Sequence, residues 1–126
     1  MITGTHAILY AEDAEQARAF LRDVLGLSNV DGGHGWLFFK APPAEFAVHP
    51  TDAAGAGTHE LYLMCDDIEA TMAELTAKGV EFTSPVADHG WGLLTSLAVP
   101  GAGSLGLYEP RHPTAYDLPS TVDSVS

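Results

Sequence analysis

A chain of 126 residues has the length of one domain, so separate catalytic and regulatory domains are not expected. Hydrophobic residues make up 46%, with 13 Gly and 8 Pro, which suits a folded domain with many short connections rather than a disordered segment. Seventeen acidic residues against five basic ones give a formal net charge of −12, which repels phosphate backbones and anionic lipid and so excludes nucleic acid and membrane surfaces as partners.

The opening Met-Ile-Thr-Gly-Thr-His has no basic region followed by an apolar run, and no apolar stretch approaches the roughly 18 residues of a membrane span, so the cytoplasm is the expected compartment. Residues 5–11 read as a first strand. The segment after it carries Ala14, Ala17, Phe20, Leu21, Val24 and Leu25 at helical spacing behind an acidic start, which predicts a helix over 13–25 closed by Gly26. Short strands follow at 28–31, 35–40 and 45–49, the last ended by Pro50.

The order then starts again. Gly4-Thr5-His6 recurs as Gly57-Thr58-His59, and the acidic run Glu12-Asp13-Ala14-Glu15 as Asp66-Asp67-Ile68-Glu69. His34-Gly35-Trp36 recurs as His89-Gly90-Trp91, and Ala47-Val48-His49-Pro50 as Leu107-Tyr108-Glu109-Pro110. Four landmarks in the same order mark a duplication, with spacing that drifts because loops differ in length. The second half therefore reads as a strand at 57–65, a helix at 67–78 ended by Gly79, and strands at 80–84, 91–98 and 104–109. Residues 111–126, rich in Pro, Ser, Thr and Asp, read as a surface or disordered tail.

A βαβββ unit is too open to bury the face of its own sheet, so two copies are expected to pack into one curved mixed sheet. This α+β arrangement, with modules at about 1–50 and 56–110, places the helices outside and a concave pocket inside, around a pseudo-two-fold axis. Side-chain alternation puts His6, Ile8 and Tyr10 on one face and His59, Leu61 and Leu63 on its counterpart, and the apolar neighbours suggest that this is the inner face. By the same rule Tyr62 and Tyr108 point away, while Tyr10 could reach the pocket. His6, His59 and Glu109 then stand at symmetry-related inward places, with His49 at the strand end matching Glu109. Imidazole and carboxylate are the usual ligands of zinc, iron, nickel, manganese and cobalt, and two His with one carboxylate leave positions open for water or substrate.

Simpler readings cover the other candidates. Cys65, the one cysteine, lies in the buried-strand pattern Leu-Tyr-Leu-Met-Cys and reads as core, which leaves no intrachain disulfide and no Cys-based zinc site. His34 and His89 sit in Gly-Trp turns, and Trp36 and Trp91 read as core or rim packing in preference to pocket lining. His112, between Arg111 and Pro113, reads as a surface residue.

The span from Ile2 to Pro110 resembles the vicinal oxygen chelate superfamily, which includes glyoxalase I, extradiol dioxygenases, fosfomycin-resistance transferases and bleomycin-resistance proteins. The resemblance is carried by Thr5-His6, Leu25-Gly26-Leu27, Thr58-His59, Asp66-Asp67-Ile68, Lys78-Gly79-Val80 and Gly106-Leu107-Tyr108-Glu109-Pro110. It implies the paired βαβββ fold, a homodimer, and a divalent metal held by the first and last strands of each module, which here means His6, His59, His49 and Glu109. Glyoxalase I has Glu where this chain has His49, and the five Lys and Arg supply little for a phosphonate.

The function expected from the resemblance is that of a metal-dependent lyase, isomerase or dioxygenase acting on a small substrate that chelates through neighbouring oxygens. His49 would act as a fourth ligand or a proton carrier, and Glu109 would take part in the chemistry. The competing expectation is a non-catalytic protein that binds and sequesters a small molecule or drug in the same pocket. A third is a metal-free member in which the polar residues persist as a hydrogen-bonded cluster.

Overall fold

The computed structural model describes residues 4–119, so residues 120–126 of the expected tail lie outside the described part. Both helices begin on an aspartate of the repeated acidic run. The Asp13 carboxylate accepts the Gln16 N–H at 3.0 Å to start α1 (Ala14–Ala19), and Asp67 accepts the Ala70 N–H at 3.0 Å to start α2 (Ile68–Ala77). A wider π-helical stretch, Phe20–Val24, continues α1, with the Leu25 N–H reaching back to the Phe20 carbonyl at 3.1 Å. Gly26 and Gly79 follow with φ of 69° and 88°, the left-handed backbone that ends a helix without steric penalty.

The second half builds most of the expected unit. Strands β3 (Tyr62–Met64), β4 (Ala87–Asp88), β5 (Gly92–Val99) and β6 (Gly103–Pro110) form a mixed sheet in the order β3-β6-β5-β4, with β3 parallel to β6 and the other pairs antiparallel. The strand expected at 80–84 reduces to a bridge between Phe82 and Leu97, because Pro85 follows it and pairing resumes only at Ala87.

In the first half, β1 (Asn29–Asp31) and β2 (Leu37–Phe39) pair as an antiparallel hairpin, but the strands expected at 5–11 and 45–49 make no ladder. Pro42 and Pro43 lack N–H groups and stand between β2 and the 45–49 segment, so an immediate return beside β2 has no donors. The 5–11 segment still alternates as a strand would: Leu9 and Ala11 pack on the core, while Ile8 and Tyr10 are 64% and 84% exposed.

One core lies between the helices and one face of the four-stranded sheet. Ile68 of α2 and Ala17 and Phe20 of the first helical segment meet Leu97, Val99, Leu105 and Leu107 of the β5–β6 hairpin, and the Asp13 N–H bonds the Gly101 carbonyl at the hairpin turn. Pairing in register sets Leu93, Thr95, Leu97 and Val99 on this face with Leu105, Leu107 and Glu109. Leu94, Ser96, Ser104, Gly106 and Tyr108 take the other face. Among the described residues no helix is long and apolar enough to cross a membrane.

Leu97 is fully buried at the centre of this face. Truncation by Leu97→Ala is expected to cost about 2–5 kcal/mol in urea unfolding; a loss below about 1 kcal/mol would move the core away from β5.

Candidate ligand cleft

The face turned away from the helices carries an open cleft of about 770 Å³. Its floor depends on glycine. Tyr62 pairs in register with Gly106, and its ring lies on the Gly106 Cα where any Cβ would collide with it. Tyr108 likewise lies against Gly92. The rings of Tyr62 and Tyr108 meet edge-on at 6.2 Å, Trp91 meets Tyr108 edge-on at 5.4 Å, and His89 stacks on Trp91 at 5.2 Å. Tyr62 and His89 line the cleft, and Tyr108 and Trp91 extend these ring contacts beside it.

Acceptor groups outnumber cations here. The Glu60 carboxylate accepts the Tyr62 hydroxyl at 2.5 Å. That hydrogen bond, helped by partial burial and by the negative charge itself, pushes the Tyr62 phenol up to about 12. No Lys or Arg is among the residues lining the cleft. The Arg111 guanidinium is paired with Asp88 at 3.0 Å, and a backbone N–H from Gly90 together with Arg111 holds the Asp88 carboxyl below the usual range. On the helix side burial pushes the Cys65 thiol up, so Cys65 stays protonated in the partly buried position expected of it.

The four residues expected to hold a metal stand in separate places. His59 lines the cleft. His6 is exposed and lies 6.0 Å from the Phe38 ring of β2, and His49 is exposed and meets Trp91 edge-on at 6.5 Å. Glu109 lies on the helix face, where its Oε1 accepts the Ile68 N–H at 2.9 Å in the first turn of α2. Among the described residues no three His, Cys, Asp or Glu side chains come together as a metal site would require. On the cleft face β6 offers Ser104, Gly106 and Tyr108, none of them a carboxylate. As arranged in one chain, these donors do not fit a divalent cation.

The expected faces hold in part. Ile8, His59 and Leu61 line the cleft as expected, whereas Leu63 packs on the core, and Tyr62, thought to point away, lines the cleft. His112, expected on the surface, is half-buried, bonded to the Tyr108 hydroxyl and 3.7 Å from Glu45. Glu45 and Glu60 were not singled out at all. The signal available for the floor was the facing glycines, Gly92 and Gly106, which mark where rings lie flat on a sheet.

The chain matches the model of the Glyoxalase/Bleomycin resistance protein/Dioxygenase superfamily over residues 5–111. It belongs to that superfamily. Among solved structures it is similar to TnmS3, an antibiotic binding protein from Streptomyces sp. CB03234, at 26% identity over 87% of this chain and 99% of that one, with a TM-score of 0.57. It is also similar to lactoylglutathione lyase from Agrobacterium tumefaciens, at 22% identity over 84% and 95% with a TM-score of 0.55. A superfamily member from Sphaerobacter thermophilus DSM 20745 is 24% identical over 85% and 97%, with a TM-score of 0.54. None of the curated proteins compared with the chain matches it. Members of this superfamily bind small molecules, and divalent metals are common among them.

The Tyr62 phenol supplies a pH prediction. Its folded-state value near 12 lies above its ordinary value of 10.0, so its contribution to stability is full below pH 10 and is lost as pH rises through 12. Absorbance titration at 295 nm is expected to show a tyrosine step near 12 that moves back toward 10 in Glu60→Ala. An unchanged step in that variant would remove Glu60 as its cause.

Proposed function

We propose that this chain binds a planar organic molecule, uncharged or cationic, in the cleft and holds it without covalent chemistry. The observation that carries this reading is the aromatic lining of Tyr62 and His89, extended beside the cleft by Tyr108 and Trp91, in a cleft lined by no Lys or Arg. Such rings hold a flat ligand by stacking and edge contacts, and a cation over a ring gains about 0.5–2 kcal/mol more. The Glu60 carboxylate and the net charge of −12 disfavour anions. The likeness to an antibiotic binding protein supports the same reading.

A second reading keeps the metal-dependent lyase, isomerase or dioxygenase, with His6, His59 and Glu109 as ligands and His49 as fourth ligand or proton carrier. Superfamily membership and the place of His59 in the cleft favour it. It requires Glu109 to leave the Ile68 N–H, which would strip α2 of one of its N-terminal acceptors.

Two experiments on untagged protein separate these readings. Titration with proflavine, a planar cation, is expected to quench tryptophan fluorescence with micromolar affinity. Trp91→Ala is expected to weaken binding about tenfold or more, whereas the planar anion 9-anthracenecarboxylate binds poorly to both. Elemental analysis is expected to find no stoichiometric metal. About one transition metal per chain, lost in His59→Ala, would overturn the binding reading in favour of the enzyme.

The chain is further proposed to form a homodimer. The unladdered segments 5–11 and 45–49 present Tyr10, Phe46 and Val48 at 84%, 82% and 94% exposure. Sedimentation is expected to give a dimer at micromolar concentration, and Val48→Asp is expected to shift it toward monomer by putting a charge in the contact. A wild type that stays monomeric would remove this proposal and leave the cleft reading intact.

A further inference from the structure

Glu45 and the C-terminal segment are far apart in sequence, yet both carboxylate oxygens of Glu45 face that segment. Oε1 accepts the Ala115 N–H at 2.9 Å, and Oε2 lies 3.7 Å from His112 Nε2. The Glu45 side chain is only 18% exposed there. His112 Nδ1 lies 2.7 Å from the Pro113 carbonyl, which can only accept, so Nδ1 carries a proton. With Nδ1 carrying the proton, Nε2 accepts a hydrogen bond from the Tyr108 hydroxyl.

The segment is also tied at its start. The Arg111 N–H bonds the Trp91 carbonyl at 2.9 Å, and the Arg111 guanidinium bonds Asp88 at 3.0 Å. Every one of these attachments falls around Trp91 and Tyr108, whose rings contact the cleft residues His89 and Tyr62. Tyr108 is 8% exposed although it lies on the open face, and His112 is one of the groups that cover it.

We infer that residues 111–118 form a strap over Trp91 and Tyr108 at the border of the cleft, fastened by Glu45, and that Glu45 is a positioning residue that slows escape of a bound ligand. Its effect on a ligand rests on the binding reading above; the strap itself does not. Glu45 is suited to the task because a carboxylate accepts at two oxygens at once, holding Ala115 with one while the other faces His112. Opening the strap breaks these local bonds and leaves the β5–β6 core in place, so it is a local opening and not unfolding.

The test uses the full chain. Amide exchange followed by NMR without ligand is expected to quicken about tenfold at Ala115 in Glu45→Ala, while Leu97 and Leu107 keep their wild-type rates. Glu45→Gln, whose amide oxygen still accepts the Ala115 N–H, is expected to restore most of the protection. Stopped-flow dissociation of proflavine is expected to quicken in step with Ala115 exchange and to be restored by the same variant. Unchanged Ala115 exchange in Glu45→Ala overturns the strap. Faster exchange with unchanged proflavine dissociation overturns its role in holding ligand. If wild type binds no proflavine, the cleft reading and the ligand-holding role fall together, and the exchange measurement still decides the strap.

Discussion

The structure rests on the register of the β5–β6 hairpin. Once Leu97 stands opposite Leu105 and Thr95 opposite Leu107, these side chains share the face that Ile68, Ala17 and Phe20 bury. The period of two leaves no freedom for the rest: Ser96, Gly106 and Tyr108 must face the other way. A slip of one residue would expose the leucines and drive Tyr108 into the helices. The core and the cleft are therefore two consequences of one alignment, and the fully buried Leu97 protects the geometry of a site it does not touch.

Three glutamates show how surroundings divide one chemistry among different tasks. Glu109, on the core side, spends an oxygen on the first turn of α2, where unpaired N–H groups and the positive end of the helix favour an anion. Glu60, on the cleft side, holds the Tyr62 phenol. Glu45, most of its side chain covered, ties chain segments that are distant in sequence. A metal ion drawing Glu109 away would have to exceed what the helix terminus already provides, and it would find on the cleft face of β6 only a hydroxyl, a glycine and a phenol.

Much of the fold was legible. The repeated acidic runs mark both helix starts because a short carboxylate can reach back to a free N–H, and the glycines mark both ends because only glycine takes positive φ without strain. The strands at 5–11 and 45–49 were not reliably legible, because alternation says which side chains share a face and nothing about whether an edge is there to pair with. The inner face was misread for a related reason. In a sheet covered on one side, the more apolar face belongs to the helices, and Leu63 and Leu107 followed that rule while Tyr62 and Tyr108 took the other face, although Ile8, His59 and Leu61 line the cleft as expected. The contact of Glu45 with Ala115 joins residues that no local pattern links, so it could only be seen in three dimensions.

The same rule bears on what the first half leaves uncovered. Ile8, Tyr10, Phe46 and Val48 are apolar and stand 64–94% exposed, while Leu9 and Ala11 already sit on the core. In a symmetric pair each copy would bring these four side chains, and burying eight at roughly 1.5–3 kcal/mol each gives on the order of 12–24 kcal/mol. Association costs roughly 4–15 kcal/mol. The two ranges overlap, with side-chain burial the larger over most of them, and backbone pairing of the two unladdered segments would add to it. In the 5–11 segment Ile8 and Tyr10 already point away from the core that Leu9 and Ala11 join.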